Sequence, residues 1–174
     1  MKKIITLTLL LTIVLVAFCA CSEKLVYSVP TQDQLDKFIL DNSINVIETK
    51  QAEEFTIILF QNDRKYGHYI LQKDQNNKLY HGSMNAALGG DYHPISTGGI
   101  ATGKEPFVTV IFNDEDMQKK AKYIELTLYD GDTIKEEVVG KGVILIISNI
   151  KLDKPFSYLK LAIYDKDSNL LYEQ

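Results

Sequence analysis

The sequence predicts a mainly β, β-sandwich-like domain with a short N-terminal helix and one small helix near 114–121. Three observations carry this. Apolar or alternating runs of strand length recur at intervals of about 8–12 residues, separated by Asx- and Gly-containing turns. Two of the runs, 55–60 and Phe107–Phe112, are apolar on both faces, which is what a central strand covered on both sides requires. Helical signals are confined to two short stretches, one after Thr31 and one after Asn113.

In chain order, Thr31-Gln32-Asp33-Gln34 is a capping box, in which the Thr31 hydroxyl takes one orphan N–H and Gln34 reaches back to another. Leu35, Phe38 and Ile39 then share one helical face, and Asn42 supplies a C-terminal stop, so a helix is expected over about residues 32–41, laid on a sheet. Residues 44–49 form a short strand, and 55–60 a buried central one. Residues 66–73 and 78–85 form a hairpin around Asp74-Gln75-Asn76-Asn77, whose side chains favour turns. Residues 89–104 hold five of the ten glycines and show neither period, so they read as a long connection between two halves, a candidate sub-boundary at 86–105. Gly98, Gly99 and Gly103 would there allow positive φ or close packing.

Pro106 opens the strand Phe107–Phe112. Asn113-Asp114-Glu115-Asp116 starts a short helix ending in Lys119, Lys120 and Lys122, acids first and bases last as the helix dipole favours. Residues 123–130 alternate with Ile124, Leu126 and Leu128 inward, and Asp130-Gly131 is a hairpin turn. Residues 133–139, 143–148 and 158–164 are further strands, the last with Leu159, Leu161 and Ile163 on one face. Residues 165–169 turn into a terminal strand, Leu170–Glu173. From Pro106 onward the pattern fits an immunoglobulin-like unit, preceded by a helix-plus-meander lobe.

The first residues concern location. Met1-Lys2-Lys3 is basic, 4–18 is an uncharged apolar run, and Cys19-Ala20-Cys21 closes it. This resembles the signal of a bacterial lipoprotein, which is removed just before a cysteine that then carries lipid. Ala20 matches the residue before the cut and Cys21 the lipidated cysteine. Phe18 stands where that pattern has leucine, and Cys19 where it has a small residue. The resemblance covers only the first 21 residues: it implies a signal over 1–20 and a tether of 21–30 with palmitate-type acyl chains on Cys21, which would anchor the β-rich domain read over 31–174 outside the cytoplasm on a bacterial cell membrane. An uncleaved membrane helix and an ordinary signal cut are the alternatives, and both also export the domain.

Cleavage there would remove Cys19 and leave Cys21 capped, so the domain would contain no thiol for disulfides, metal binding or nucleophilic attack. Removing Lys2 and Lys3 from 19 basic residues leaves 17 against 23 acidic ones, a formal charge of −6. That balance argues against nucleic acid and against electrostatic adhesion to an anionic membrane.

Gly98-Gly99-Ile100-Ala101-Thr102-Gly103-Lys104 has the spacing of a phosphate-binding loop, but Glu105 takes the place of its Ser/Thr and Pro106 with a strand replaces its helix, so no nucleotide is expected. Asp165-Lys166-Asp167-Ser168-Asn169 mimics half a calcium loop, yet Leu170 replaces the required glycine and a hairpin turn explains it. His68, His81 and His93, with Asp91, could hold zinc; an odd hairpin register would place the first two on one face, and a one-residue slip would separate them. Tyr66, Tyr69, Tyr80 and Tyr92 either pack sheets or offer a flat contact surface. Gly82-Ser83-Met84 after His81 lacks the second glycine of a nucleophile elbow.

The expectation is therefore a membrane-anchored extracytoplasmic lipoprotein with a binding or structural role in the cell envelope, with no cofactor and no metal. Its candidate contact surface is Tyr66, His68, Tyr80, His81, Asp91, Tyr92 and His93, offered to an envelope protein or glycan. The alternatives are an envelope hydrolase or metal-dependent enzyme at the histidine/Asp91 region, and a small-ligand carrier.

Overall fold

The structure, a computed structural model, describes residues 25–63, 65–87, 93–101, 105–138, 140–147 and 158–174. The signal sequence, Cys21 and the first residues of the tether lie outside them. Among the described residues no helix is long and apolar enough to cross a membrane.

The chain is mainly β and sandwich-like, built as four layers: helix, sheet, sheet, sheet. The first sheet contains β1 (Tyr27–Ser28), β2 (Val46–Gln51), β3 (Thr56–Asn62), β4 (Lys65–Asp74) and β5 (Leu79–Ala87), in the order β1-β4-β3-β2 with β5 on β4. The second holds β6 (Ile95–Ile100), β7 (Phe107–Phe112) and β10 (Gly142–Ile146) in the order β10-β7-β6. The third holds β8 (Ala121–Leu128), β9 (Thr133–Glu137), β11 (Tyr158–Asp165) and β12 (Leu170–Glu173) in the order β12-β11-β8-β9. Among the described residues all pairings are antiparallel.

Period-two alternation explains the stacking. On β3, Ile58 and Phe60 point to helix α1 (Gln32–Asp41) and meet Phe38, Ile44 and Leu71. Ile57 and Leu59 point the other way, to Phe107, Ile111 and Ile144 of the second sheet. Val108, Val110 and Phe112 of β7, with Val143 and Leu145 of β10, face the third sheet and meet Ile124, Leu126, Leu128, Leu161 and Ile163. β3 and β7 are thus covered on both sides, as their doubly apolar sequences require. Among the described residues, twelve are buried in the core between the second and third sheets, each contributing about 1.5–3 kcal/mol.

α1 spans the expected residues. Thr31 Oγ1 accepts from the Gln34 N–H, Gln34 Oε1 accepts from the Thr31 N–H, and the Asn42 amide closes the other end on the Phe38 carbonyl at 2.9 Å. The second helix, α2 (Glu115–Lys120), is capped by Asp114, whose Oδ1 accepts from the Met117 N–H at 2.8 Å.

Strands β6 to β12 have an immunoglobulin-like strand order. The first, second and fifth strands form one sheet and the third, fourth, sixth and seventh the other, which differs from the constant-type immunoglobulin sandwich in the fourth strand, β9, paired to the third and not to the fifth. This unit begins at Ile95, one strand earlier than Pro106. Three sequence expectations change here. Ile95–Ile100 lies in the glycine-rich connection and is a strand, paired residue for residue with β7. Tyr27–Ser28, expected in the tether, pairs with Asp74 and Lys73. Leu159, expected beside Leu161 and Ile163, sits at a register shift between Tyr158 and Lys160 and faces solvent.

Candidate functional site

The β4–β5 hairpin carries most of the residues singled out in the sequence. Its ladder runs without a bulge from Lys65↔Ala87 to Lys73↔Leu79. His68 faces Met84 and His81 faces Leu71, so the two histidines project from opposite faces of the sheet. His68 is buried between the first and second sheets, its ring edge-on to Phe107 with centroids 4.9 Å apart, and burial lowers its pKa. His81 is exposed and lies against Phe38 on the helix side, centroids 5.1 Å apart. His93 is exposed, and its carbonyl accepts from the Asn113 amide at 3.0 Å. Asp91 and Tyr92 lie outside the described residues. A metal held jointly by His68 and His81 is incompatible with this register. Among the described residues no three histidine, cysteine or acidic side chains converge on one point.

The tyrosines divide in the same way. Tyr66 packs into the core between the first and second sheets, and Tyr69 stacks on Phe60 at 5.0 Å. Tyr80 instead serves the chain's entry. Its ring meets Tyr27 of β1 edge-on at 5.8 Å, and its hydroxyl donates to Asp74 Oδ2 at 3.2 Å. Asp74 Oδ1 accepts the N–H groups of Asn76 at 2.8 Å and Lys78 at 2.9 Å. The bond from Lys78, helped by those from Asn76 and Tyr80, holds the Asp74 carboxylate below its ordinary pKa. Val26 N–H donates to Gln75 Oε1 at 3.2 Å in the same turn. Asp74 to Asn77, read in the sequence as a turn, is therefore also the seat of the incoming chain.

At the glycine-rich stretch, Thr97 to Ala101, Phe107, Val108 and Tyr158 line an open groove of about 340 Å³. Gly99 has φ +146°, and a Cβ there would overlap the Phe107 carbonyl oxygen. Its glycine is required by the approach of β6 to β7. Glu105 has a job of its own: its carboxylate accepts the Glu53 N–H at 2.6 Å, tying the β2–β3 turn to the start of β7. A strand follows Pro106, so no helix N-terminus faces this loop. The Asp165 carboxylate likewise turns inward on its own hairpin, accepting from the N–H groups of Asp167 and Asn169, both at 2.8 Å.

Sequence reasoning missed a polar recess of about 420 Å³ lined by Asn45, Val46, Ile47, Gln61, Asp63 and Lys141. Asn62 Oδ1 accepts the Asn45 N–H at 2.9 Å, and the Lys141 carbonyl accepts the Phe112 N–H at 2.9 Å, so its rim is fixed at two points. These residues are far apart in sequence and individually ordinary, and the stacking of the first two sheets is what joins them. No family model, no curated protein and no solved structure matches the chain.

Proposed function

We propose that this chain is an extracytoplasmic lipoprotein, anchored to a bacterial cell membrane through lipid on Cys21, whose domain does binding or structural work in the cell envelope. The observation that carries this reading is the signal-like start closing on Cys21, followed almost at once by β1. Val26 and Tyr27, five and six residues after Cys21, are held on the β4–β5 hairpin. A binding role is favoured over catalysis because His68 is buried between the first two sheets while His81 is exposed on the opposite face of the first. The partner class is an envelope protein or a glycan.

The test is metabolic labelling with a clickable fatty acid in a bacterial host. The wild-type chain should take up label and fractionate with membranes, and Cys21→Ser should lose the label. Undiminished labelling of the Cys21→Ser protein would refute the anchor.

A further inference from the structure

We infer that the domain stands on its anchor in one orientation, with the β4–β5 turn end against the lipid bilayer and the polar recess directed away from it. This rests on lipidation of Cys21. From Cys21 to Leu25, the first described residue, an extended chain reaches about 14 Å at most. From there the path is fixed, because Val26 is bonded to Gln75 and Tyr27 pairs with Asp74. The β4–β5 turn is therefore held within that reach of the membrane.

Pairing and packing trace which parts of the molecule share this end. Thr56 pairs with Leu71, which brings the β2–β3 turn alongside. Glu53 in that turn is bonded to Glu105, just before β7. Phe107 pairs with Ile100, and both line the groove with Tyr158. Tyr158 pairs with Leu128, and Tyr129 follows. Four of the seven exposed large apolar side chains among the described residues are at this end, Leu25 at 46%, Val26 at 65%, Tyr129 at 66% and Leu159 at 56%, while Leu40, Met84 and Leu170 lie elsewhere. Aliphatic side chains and an amphipathic aromatic are what a bilayer interface accommodates. Glu53, Glu105, Asp130 and Asp132 outnumber Lys73 and Lys78 of the β4–β5 turn at the same end, so apolar contact and the tether, not attraction to anionic headgroups, hold it there.

The other end gathers the C-terminus of α1, the β3–β4 turn, α2 and the Asp165–Asn169 turn, since Asn45 is bonded to Asn62 and Ala121 pairs with Asp165. It also carries the recess lined by Asn45, Gln61, Asp63 and Lys141. A strand as long as β4 places that end about 30 Å farther out. The recess is thus the feature presented to a partner beyond the membrane surface.

The test uses the full mature lipoprotein reconstituted in phosphatidylcholine vesicles carrying a headgroup-linked energy acceptor. Single donor labels are placed at Asn76→Cys and Asp132→Cys on the near end, and at Lys120→Cys and Asp167→Cys on the far end. Transfer should be about twofold or more higher from both near-end labels, given the ~30 Å of added separation. Tyr129→Ser combined with Leu159→Ser should narrow that difference while the protein still floats with the vesicles. Flotation with equal or reversed transfer would overturn the orientation and leave the anchor standing. Protein that carries no lipid and does not float would overturn both.

Discussion

The carboxylate of Glu48 on β2 accepts the backbone N–H of Ile144 on β10 at 2.7 Å, while Lys50, two residues along, donates to the carbonyl of the same Ile144 at 3.0 Å. Two side chains thereby stand in for the strand that would otherwise pair with β10, an edge of the second sheet. Lys50 also meets Glu136 of β9 at 2.9 Å, so one clamp joins all three sheets. It also closes a free edge that could template pairing with another chain.

Glu48 is half-buried, and burial raises its pKa above the ordinary carboxylate value, against the opposing pull of the Ile144 bond and Lys50. An acid whose folded pKa is raised contributes stability that is fully present below the unfolded pKa and lost as pH rises through the folded one. Glu48→Gln keeps an acceptor for Ile144 without the charge. Its stability relative to wild type should therefore climb as pH rises from about 4.5 through the folded pKa of Glu48. Glu48→Ala removes the acceptor and should cost about 1–3 kcal/mol at low pH, a cost that shrinks as pH rises through the folded pKa of Glu48. Urea unfolding at a series of pH values measures both, and a pH-independent gap between wild type and Glu48→Gln would contradict the assignment.

His68 should act in the opposite sense. Burial lowers its pKa, so the folded state favours the neutral ring and the stability is fully present above the unfolded value near 6.5. That stability should decline as pH falls from there toward the folded pKa. His68→Phe keeps an aromatic group against Phe107 and should flatten this slope, read by the same unfolding series.

Much of the fold was legible because it was local. Thr31 and Gln34 are three residues apart and make a helix start without help from elsewhere. The doubly apolar 55–60 and Phe107–Phe112 announced central strands, and the Asx-rich turn at 74–77 announced the hairpin. What was illegible is set by pairing between distant segments. Ile95–Ile100 has no side-chain period because two of its six residues are glycine, and it is a strand because β7 lies beside it. The histidines turned on a single residue of register, which the turn sequence alone did not fix. The polar recess exists through the stacking of two sheets.

Gly98 and Gly99 are adjacent, yet their tolerance should differ. Gly99→Ala places a Cβ on the Phe107 carbonyl in a backbone region that L-residues rarely enter, and should cost about 1–3 kcal/mol or more. Gly98→Ala meets the Thr109 hydroxyl at 3.2 Å, a group that can turn aside, and should be much milder. Thermal unfolding of the two variants checks the contrast. Equal losses would mean that β6 does not approach β7 as described.

The last contrast tests the irregularity in β11. Leu159, Leu161 and Ile163 alternate perfectly in sequence, so a regular strand would bury all three. The register shift between Tyr158 and Lys160 gives Leu159 no partner on β8 and leaves it 56% exposed, while Leu161 is fully buried against the second sheet. Leu161→Ala should leave a cavity in the largest core and cost about 2–5 kcal/mol. Leu159→Ser removes a solvent-facing side chain and should change stability by no more than about 0.5 kcal/mol. Denaturant midpoints in the Cys21→Ser background decide the matter. A loss at Leu159 comparable to that at Leu161 would restore regular alternation and remove this residue from the exposed apolar end of the domain.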